Sequence, residues 1–261
     1  MHAPETSLPT DLPRTTADIL ARLRVRAPRV HCITNAVAQN FTANVLLAAG
    51  AVPSMTISPE EIGQFVAGAD ALLVNLGTFD HERREAVEIA VAAASQGGKR
   101  WVLDPVFIDR APKRANFARA LMRRQPTALR LNQAEFSALS GDAGTNDALK
   151  RYAHDTAAVV ALSGKTDLVA DATRVAAISN GDALMARVTA MGCAGSALVA
   201  ACLAVEGDAW RACAAALIIL GVAGEIAAAQ AKGPGSFAVA IIDAVANLDG
   251  EILLERAKVS E

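Results

Sequence analysis

The sequence predicts a three-layer α/β/α sandwich around a mainly parallel sheet, and three observations support that prediction. Short apolar or β-branched runs recur between longer Ala-rich segments of helical spacing, the alternation expected of repeated βα units. Every clear strand candidate has a polar residue at or beside its carboxyl end. The chain is also large enough, at 261 residues and 52% hydrophobic, to cover both faces of such a sheet.

Arg29 to Thr34, Ala71 to Leu76, Arg100 to Asp104, Ala128 to Asn132 and Ala157 to Ser163 read as the strands. Ligands of open α/β sheets gather beyond the carboxyl ends of the strands, so Asn35, Asn75, Asp104, Asn132 and Ser163 mark the rim where a site is expected. Leu168 to Ala170 and Val175 to Ile178, with turn residues at Asp171 and at Asn180-Gly181, read as a small antiparallel addition. Beyond Cys193, the small-residue stretch Ala194 to Val205 and the block Asp208 to Gln230 read as two closely packed helices.

Met1 to Thr16, rich in Pro, Thr and Ser, is expected to be a loosely ordered lead-in, residues 1–16, ahead of one domain spanning residues 17–261. No linker, internal repeat or low-complexity segment divides the remainder. The net charge of −2 is spread along the chain, which argues against nucleic acid and anionic membrane as partners and for small molecules. Ala212 to Ala229 is apolar, yet Gly221, Gly224 and Glu225 interrupt it, so a buried helix is expected rather than a membrane span. Cys32, Cys193, Cys202 and Cys213 follow neither a disulfide framework nor a paired metal spacing; free thiols in a reducing cytoplasm are expected.

Gly164-Lys165-Thr166 lacks the earlier glycine of a phosphate-binding P-loop, because Val159 stands in that place. A better anion site is Val188 to Ala194, a turn before an Ala-rich helix, where unpaired N–H groups and the helix dipole favour a phosphate. The same field would lower the pKa of Cys193, although cysteine is among the commonest buried residues and an ordinary structural cysteine is the plainer reading. Asp104 and Glu135 are the carboxylates best placed for a metal, with helix capping as the plainer reading of both. Arg130 is placed to pair with a triphosphate or to form a surface salt bridge. His2, His31, His81 and His154 show no metal spacing and read as structural or surface residues.

Several segments then carry a more specific likeness. They are His31-Cys32-Ile33-Thr34-Asn35, Asn40-Phe41-Thr42-Ala43-Asn44, Gly50-Ala51-x-Pro53-x-Met55, Leu73 to Thr78, Leu103-Asp104-Pro105-Val106, Arg130-x-Asn132-x-x-Glu135, Val160-x-x-Ser163-Gly164-x-x-Asp167 and Gly233 to Phe237. In this order, from about Val30 to Leu248, the chain resembles the hydroxyethylthiazole kinase family. The resemblance implies a ribokinase-like fold, usually a homotrimer with active sites at subunit interfaces. It also implies a cytoplasmic enzyme of thiamine salvage that moves the γ-phosphate of ATP to the hydroxyethyl arm of hydroxyethylthiazole.

Carried over residue by residue, the resemblance gives Cys193 the place where most ribokinase-like enzymes have a catalytic Asp. Arg130 and Ser163 match nucleotide-binding positions, Met55 and the Ala190 backbone match thiazole contacts, and Asn35 lies beside them. Asp104 and Glu135 would help hold Mg2+. The chain departs from the family in three places. Ala190-Met191-Gly192 replaces Gly-x-Gly before the cysteine, Phe107 to Arg110 replaces a glycine-containing loop, and Leu131 replaces the glycine after Arg130. A kinase of another small heterocyclic alcohol, a weakly catalytic regulatory relative and an unrelated interaction module are the alternatives.

Overall fold

The computed structural model describes residues 11–261. Its centre is a nine-stranded sheet in the order β2-β1-β3-β4-β5-β6-β7-β8-β9. The first six positions are parallel: β2 (Val52–Ser54), β1 (Arg29–Ile33), β3 (Ala71–Asn75), β4 (Arg100–Asp104), β5 (Ala128–Asn132) and β6 (Val159–Ser163). β7 (Asp167–Ala170), β8 (Val175–Ile178) and β9 (Val259–Ser260) extend it antiparallel. The expected strands are all present, although the last begins at Val159. Ala157 instead ends the preceding helix in the left-handed conformation, φ 55°.

Alternating side chains of each strand feed two separate cores. Val30, Cys32, Leu73, Val102 and Ala161 point to one, with helices α1 (Leu12–Arg26), α2 (Gln39–Ala49), α8 (Met191–Val205), α9 (Ala209–Gln230), α10 (Pro234–Asn247) and α11 (Gly250–Arg256). Ile33, Leu72, Val74, Leu103, Leu129 and Val160 point to the other, with α3 (Ile62–Gly68), α4 (His81–Gln96), α5 (Pro112–Met122), α6 (Gln133–Ser140) and α7 (Asn146–Thr156). This is the predicted three-layer sandwich. α9, long and apolar enough by composition to cross a membrane, is 78% buried over its most apolar window and packs on α1, α8 and α10. Its hydrophobicity is therefore spent inside the fold.

The expected lead-in to Thr16 is corrected from Asp11 onward. Asp11 caps α1 through a hydrogen bond from the Arg14 amide, and Pro13 sits in the first turn, where a missing N–H costs nothing. Leu12, Thr16, Ile19, Leu20 and Leu23 are all buried, each aliphatic side chain contributing roughly 2 kcal/mol of burial. Residues 1–10 of that lead-in, with His2, lie outside the described residues.

Two features of the fold place the site. The six parallel strands bring their carboxyl ends to one rim, and α8 runs across β1, β3 and β4 with its N-terminus over that rim. Cys193 stands in the first turn of α8 and so comes down onto the strand ends.

Candidate active site

Cys193 is 9% exposed and its sulfur is held by one side chain just past β1 and by the one that ends β3. Asn35 Nδ2 donates to Sγ at 3.0 Å and Asn75 Nδ2 donates at 3.3 Å. Asn75 Nδ2 also donates to Asp104 Oδ2 at 2.7 Å, and Ser196 Oγ, one turn further along α8, donates to the same oxygen at 2.7 Å. Asn75 Oδ1 accepts from Asn35 Nδ2 at 3.4 Å and from the Gly77 amide at 3.0 Å. A Cβ on Gly77 would lie 2.7 Å from Asn35 Cβ, so only glycine lets the chain turn this close to the asparagine pair. Within the network Asn35 Oδ1 is buried and has no hydrogen-bond partner among the described residues.

Burial pushes the Cys193 thiol up to about 11, and the negative charge of Asp104 adds to the rise. The amides of Asn35 and Asn75 and the charge of Arg130 oppose it without overcoming it. The expectation of a lowered pKa is corrected: the helix N-terminus is there, but loss of solvent and a neighbouring carboxylate outweigh its dipole. At neutral pH the residue is a thiol that accepts two N–H bonds. Asp104 is itself 3% exposed, and burial raises its pKa against the pull of Arg130, Ser196 and Asn75.

On the far side of Asp104 the site turns cationic. Arg130, on β5, lays its guanidinium against the start of α8, and a Cβ built on Gly192 would meet Arg130 Nη1 at 2.7 Å. Its Nε is buried without a partner among the described residues, and its charge acts on Asp104, Asp167 and Cys193. Of the two readings the sequence left open, a surface salt bridge is not formed among the described residues; the guanidinium lies against the start of α8 instead. Ala190 caps α8 with no side-chain hydrogen bond, which leaves the first-turn N–H groups open toward an anion. Ser163 ends the adjacent β6, its Oγ donating to the Leu131 carbonyl at 3.3 Å.

Two of the residues that stand where glycine is expected take left-handed backbone. Ala190 takes φ 70° and Phe107 takes φ 57°, with Val106 beside it at φ 34°, all in the left-handed region. Each non-glycine residue there costs on the order of 1–2 kcal/mol. Leu131 fills the core on the sheet's opposite face.

Glu135 is the third residue of α6 and forms a capping box. Its Oε2 accepts from the Asn132 amide at 2.9 Å while Asn132 Oδ1 accepts from the Glu135 amide at 3.0 Å. Its Oε1 accepts from the Phe107 amide at 2.7 Å. No group of three or more His, Cys, Asp or Glu side chains is disposed around a common point among the described residues. Two hard carboxylates suit a magnesium ion that arrives on phosphate oxygens and keeps its waters, which asks for one or two protein ligands only.

The structure thus brings Asn35, Asp104, Arg130, Glu135, Ser163, Ala190 and Cys193 to one rim, with Met55 half-buried just past β2. Asn75, Ser196 and Gly77 complete the network and were not singled out as site residues. Asn75 was readable as a polar strand end, whereas Ser196 carried no local signal.

Residues 20–251 match the hydroxyethylthiazole kinase family. A probable hydroxyethylthiazole kinase of Agrobacterium fabrum is 44% identical over 244 residues, covering 93% of this chain and 94% of its own. A hydroxyethylthiazole kinase of Klebsiella pneumoniae is 46% identical over 246 residues, 89% of this chain and 95% of that one. Among solved structures, a hydroxyethylthiazole kinase protein from Pyrococcus horikoshii superposes with a TM-score of 0.90 at 36% identity, covering 94% of this chain and 98% of that one. Bacillus subtilis pyridoxal kinase shares the fold, with a TM-score of 0.58 at 20% identity over 75% of this chain and 91% of its own. A match of this extent to the family, on a ribokinase-like fold, makes the chain a member of the hydroxyethylthiazole kinase family.

Proposed function

We propose that this chain transfers the γ-phosphate of ATP to the hydroxyl of hydroxyethylthiazole, a step of thiamine salvage, and that Cys193 marks the point of transfer. The observation that carries this reading is the order of groups along the rim. Strand order sets Met55 (past β2), Asn35 (past β1), Asn75 (β3), Asp104 (β4), Arg130 (β5) and Ser163 (β6) in a row, with Cys193 above β1 and β3. The neutral, partly apolar end receives the thiazole alcohol, beside the Ala190 backbone. The cationic end receives the triphosphate on Arg130, Ser163 and the open amides of α8.

In this arrangement the substrate hydroxyl sits between Cys193 Sγ and the free acceptor Asn35 Oδ1. Its oxygen attacks the γ-phosphorus in line as the bond to the ADP oxygen breaks. A loose transition state requires little deprotonation beforehand, which suits a thiol near pKa 11 that orients the hydroxyl and does not ionise it. Once the oxygen is bonded to phosphorus its proton is acidic enough to pass to a phosphate oxygen or to water, so no strong base is required. Arg130 and the α8 amides hold the charge of the transferred group. Asp104 and Glu135 would hold magnesium carried on the phosphates, an ion that neutralises phosphate charge when bound.

We infer further that the chain works as a homotrimer with interfacial sites. Exposed apolar side chains at Val37, Leu47, Val52 and Phe65, on or beside α2, β2 and α3 near the open edge of the sheet, support this. Four free, buried cysteines support a cytoplasmic setting.

An ATP-consumption assay with magnesium, comparing hydroxyethylthiazole, hydroxymethylpyrimidine and pyridoxal in wild type and Cys193→Ala, tests the reading. Turnover specific to the thiazole alcohol and lost in the variant supports it. Turnover on another alcohol reassigns the substrate, and ATP binding without turnover on any of the three points to a regulatory relative.

A further inference from the structure

His31 is wholly buried in β1, and both nitrogens of its ring are used on one short stretch of chain. Nδ1 lies 2.8 Å from Ser54 Oγ and Nε2 lies 3.0 Å from the Thr56 carbonyl oxygen. A carbonyl can only accept, so the Nε2 position carries the proton and Nδ1 accepts from the Ser54 hydroxyl. Burial lowers the pKa of the ring, in keeping with this neutral form.

The residue between the two anchors is Met55. Ser54 pairs with His31 as the last position of β2, a three-residue edge strand bonded in the sheet only to β1. Beyond it the chain leaves the ladder, so ladder hydrogen bonds no longer fix Met55 and Thr56. The imidazole supplies the missing constraint from a central strand, gripping the chain on both sides of Met55. The Phe65 ring packs against it with centroids 5.8 Å apart, and Thr56 Oγ1 donates to Glu61 Oε1, closing the outer side of the same stretch.

We propose that His31 is a positioning residue for the alcohol pocket, a two-point clamp on Ser54 and Thr56 that holds Met55 at the rim beside Asn35. This rests on the reading of Met55 as a substrate contact. An apolar residue of similar volume would fill the space but leave the partly buried Ser54 hydroxyl and Thr56 carbonyl without these partners, and a segment that has lost both anchors is free to turn those groups toward water. A purely structural histidine would affect the whole fold; a clamp affects one segment and one substrate.

The test pairs hydrogen exchange of the substrate-free protein with steady-state kinetics for wild type, His31→Phe, His31→Gln and Ser54→Ala. In His31→Phe the account expects faster exchange confined to residues 54–57. It expects a KM for hydroxyethylthiazole raised about tenfold, with the KM for ATP and the saturating kcat within about twofold of wild type. His31→Gln, which keeps a donor near the Nε2 position, should fall between, as should Ser54→Ala, which removes one arm and carries the test if His31→Phe does not fold. Unchanged exchange at 54–57, or equal losses in both KM values and kcat together with a lowered Tm, overturns the clamp. The exchange arm needs no substrate, so its failure is distinct from a failure of wild type to phosphorylate the thiazole alcohol.

Discussion

Asn35 donates through Nδ2 to Cys193 Sγ at 3.0 Å while its Oδ1, buried in the same site, has no partner among the described residues. A buried amide oxygen left open costs on the order of 1–3 kcal/mol, so it is an asset only if a ligand hydroxyl completes it. Asn35→Ala is expected to lower kcat/KM for the thiazole alcohol by about 100-fold, the scale of losing one aligned polar contact in an active site. Calorimetric ATP binding to the variant should match wild type. Equal activity in the two proteins would remove Asn35 from the site.

The thiol of Cys193 gives a pH signature. Its pKa of about 11 lies above the ordinary thiol value, so alkylation by iodoacetamide, followed at this residue by mass spectrometry, should stay slow at pH 7 and rise with a midpoint near 11. Hydroxyethylthiazole should slow it. Burial raises Cys32 and Cys202 to about 12 as well. Groups raised in the folded state give full stability below the unfolded value and lose it as pH climbs through the folded one. Tm should therefore fall steadily between pH 9 and 12, less steeply in Cys32→Ala; a flat profile would contradict the raised values.

Gly192 yields its side-chain space to Arg130. A methyl group at this position would approach Nη1 to 2.7 Å and displace the guanidinium from the start of α8. Gly192→Ala is expected to raise the KM for ATP about tenfold, equivalent to ~1.4 kcal/mol, while Tm changes little. Nucleotide titration of the purified variant checks this.

Asp104 sets function against stability. Burial raises its pKa, so folding opposes the charged form of this carboxyl. In Asp104→Asn the amide oxygen can still accept from Asn75 and Ser196, which both bond to Oδ2 in the wild type. The variant should melt higher, by about 2–4 °C if ~1 kcal/mol is recovered, and lose at least about 100-fold in kcat. Differential scanning calorimetry with the ATP assay separates the two effects.

Much of the fold was readable from sequence because the central strands are apolar runs with polar ends, and the rim residues followed from those ends. β2 was not, since Val52-Pro53-Ser54 is short and contains the proline that sheets tolerate only at an edge. The start of α1 was hidden by Leu12-Pro13, which resembles a loop until the Asp11 cap is seen. Cys193 was found as a position, yet its ionisation was misjudged. The dipole of α8 is visible in the sequence, but the burial and Asp104 that outweigh it are set by tertiary contacts. Ser196 was missed for the same reason, because its carboxylate partner is 92 residues away.

The central claim is that alcohol and nucleotide occupy opposite sides of Cys193 along one rim, and Arg130→Met compared with Met55→Ala tests it most directly. Both KM values are measured for each variant. The account predicts that Arg130→Met raises the KM for ATP at least about tenfold with the alcohol KM within about twofold, and that Met55→Ala does the reverse. Both variants shifting the same KM, or Arg130→Met weakening the alcohol alone, would contradict it.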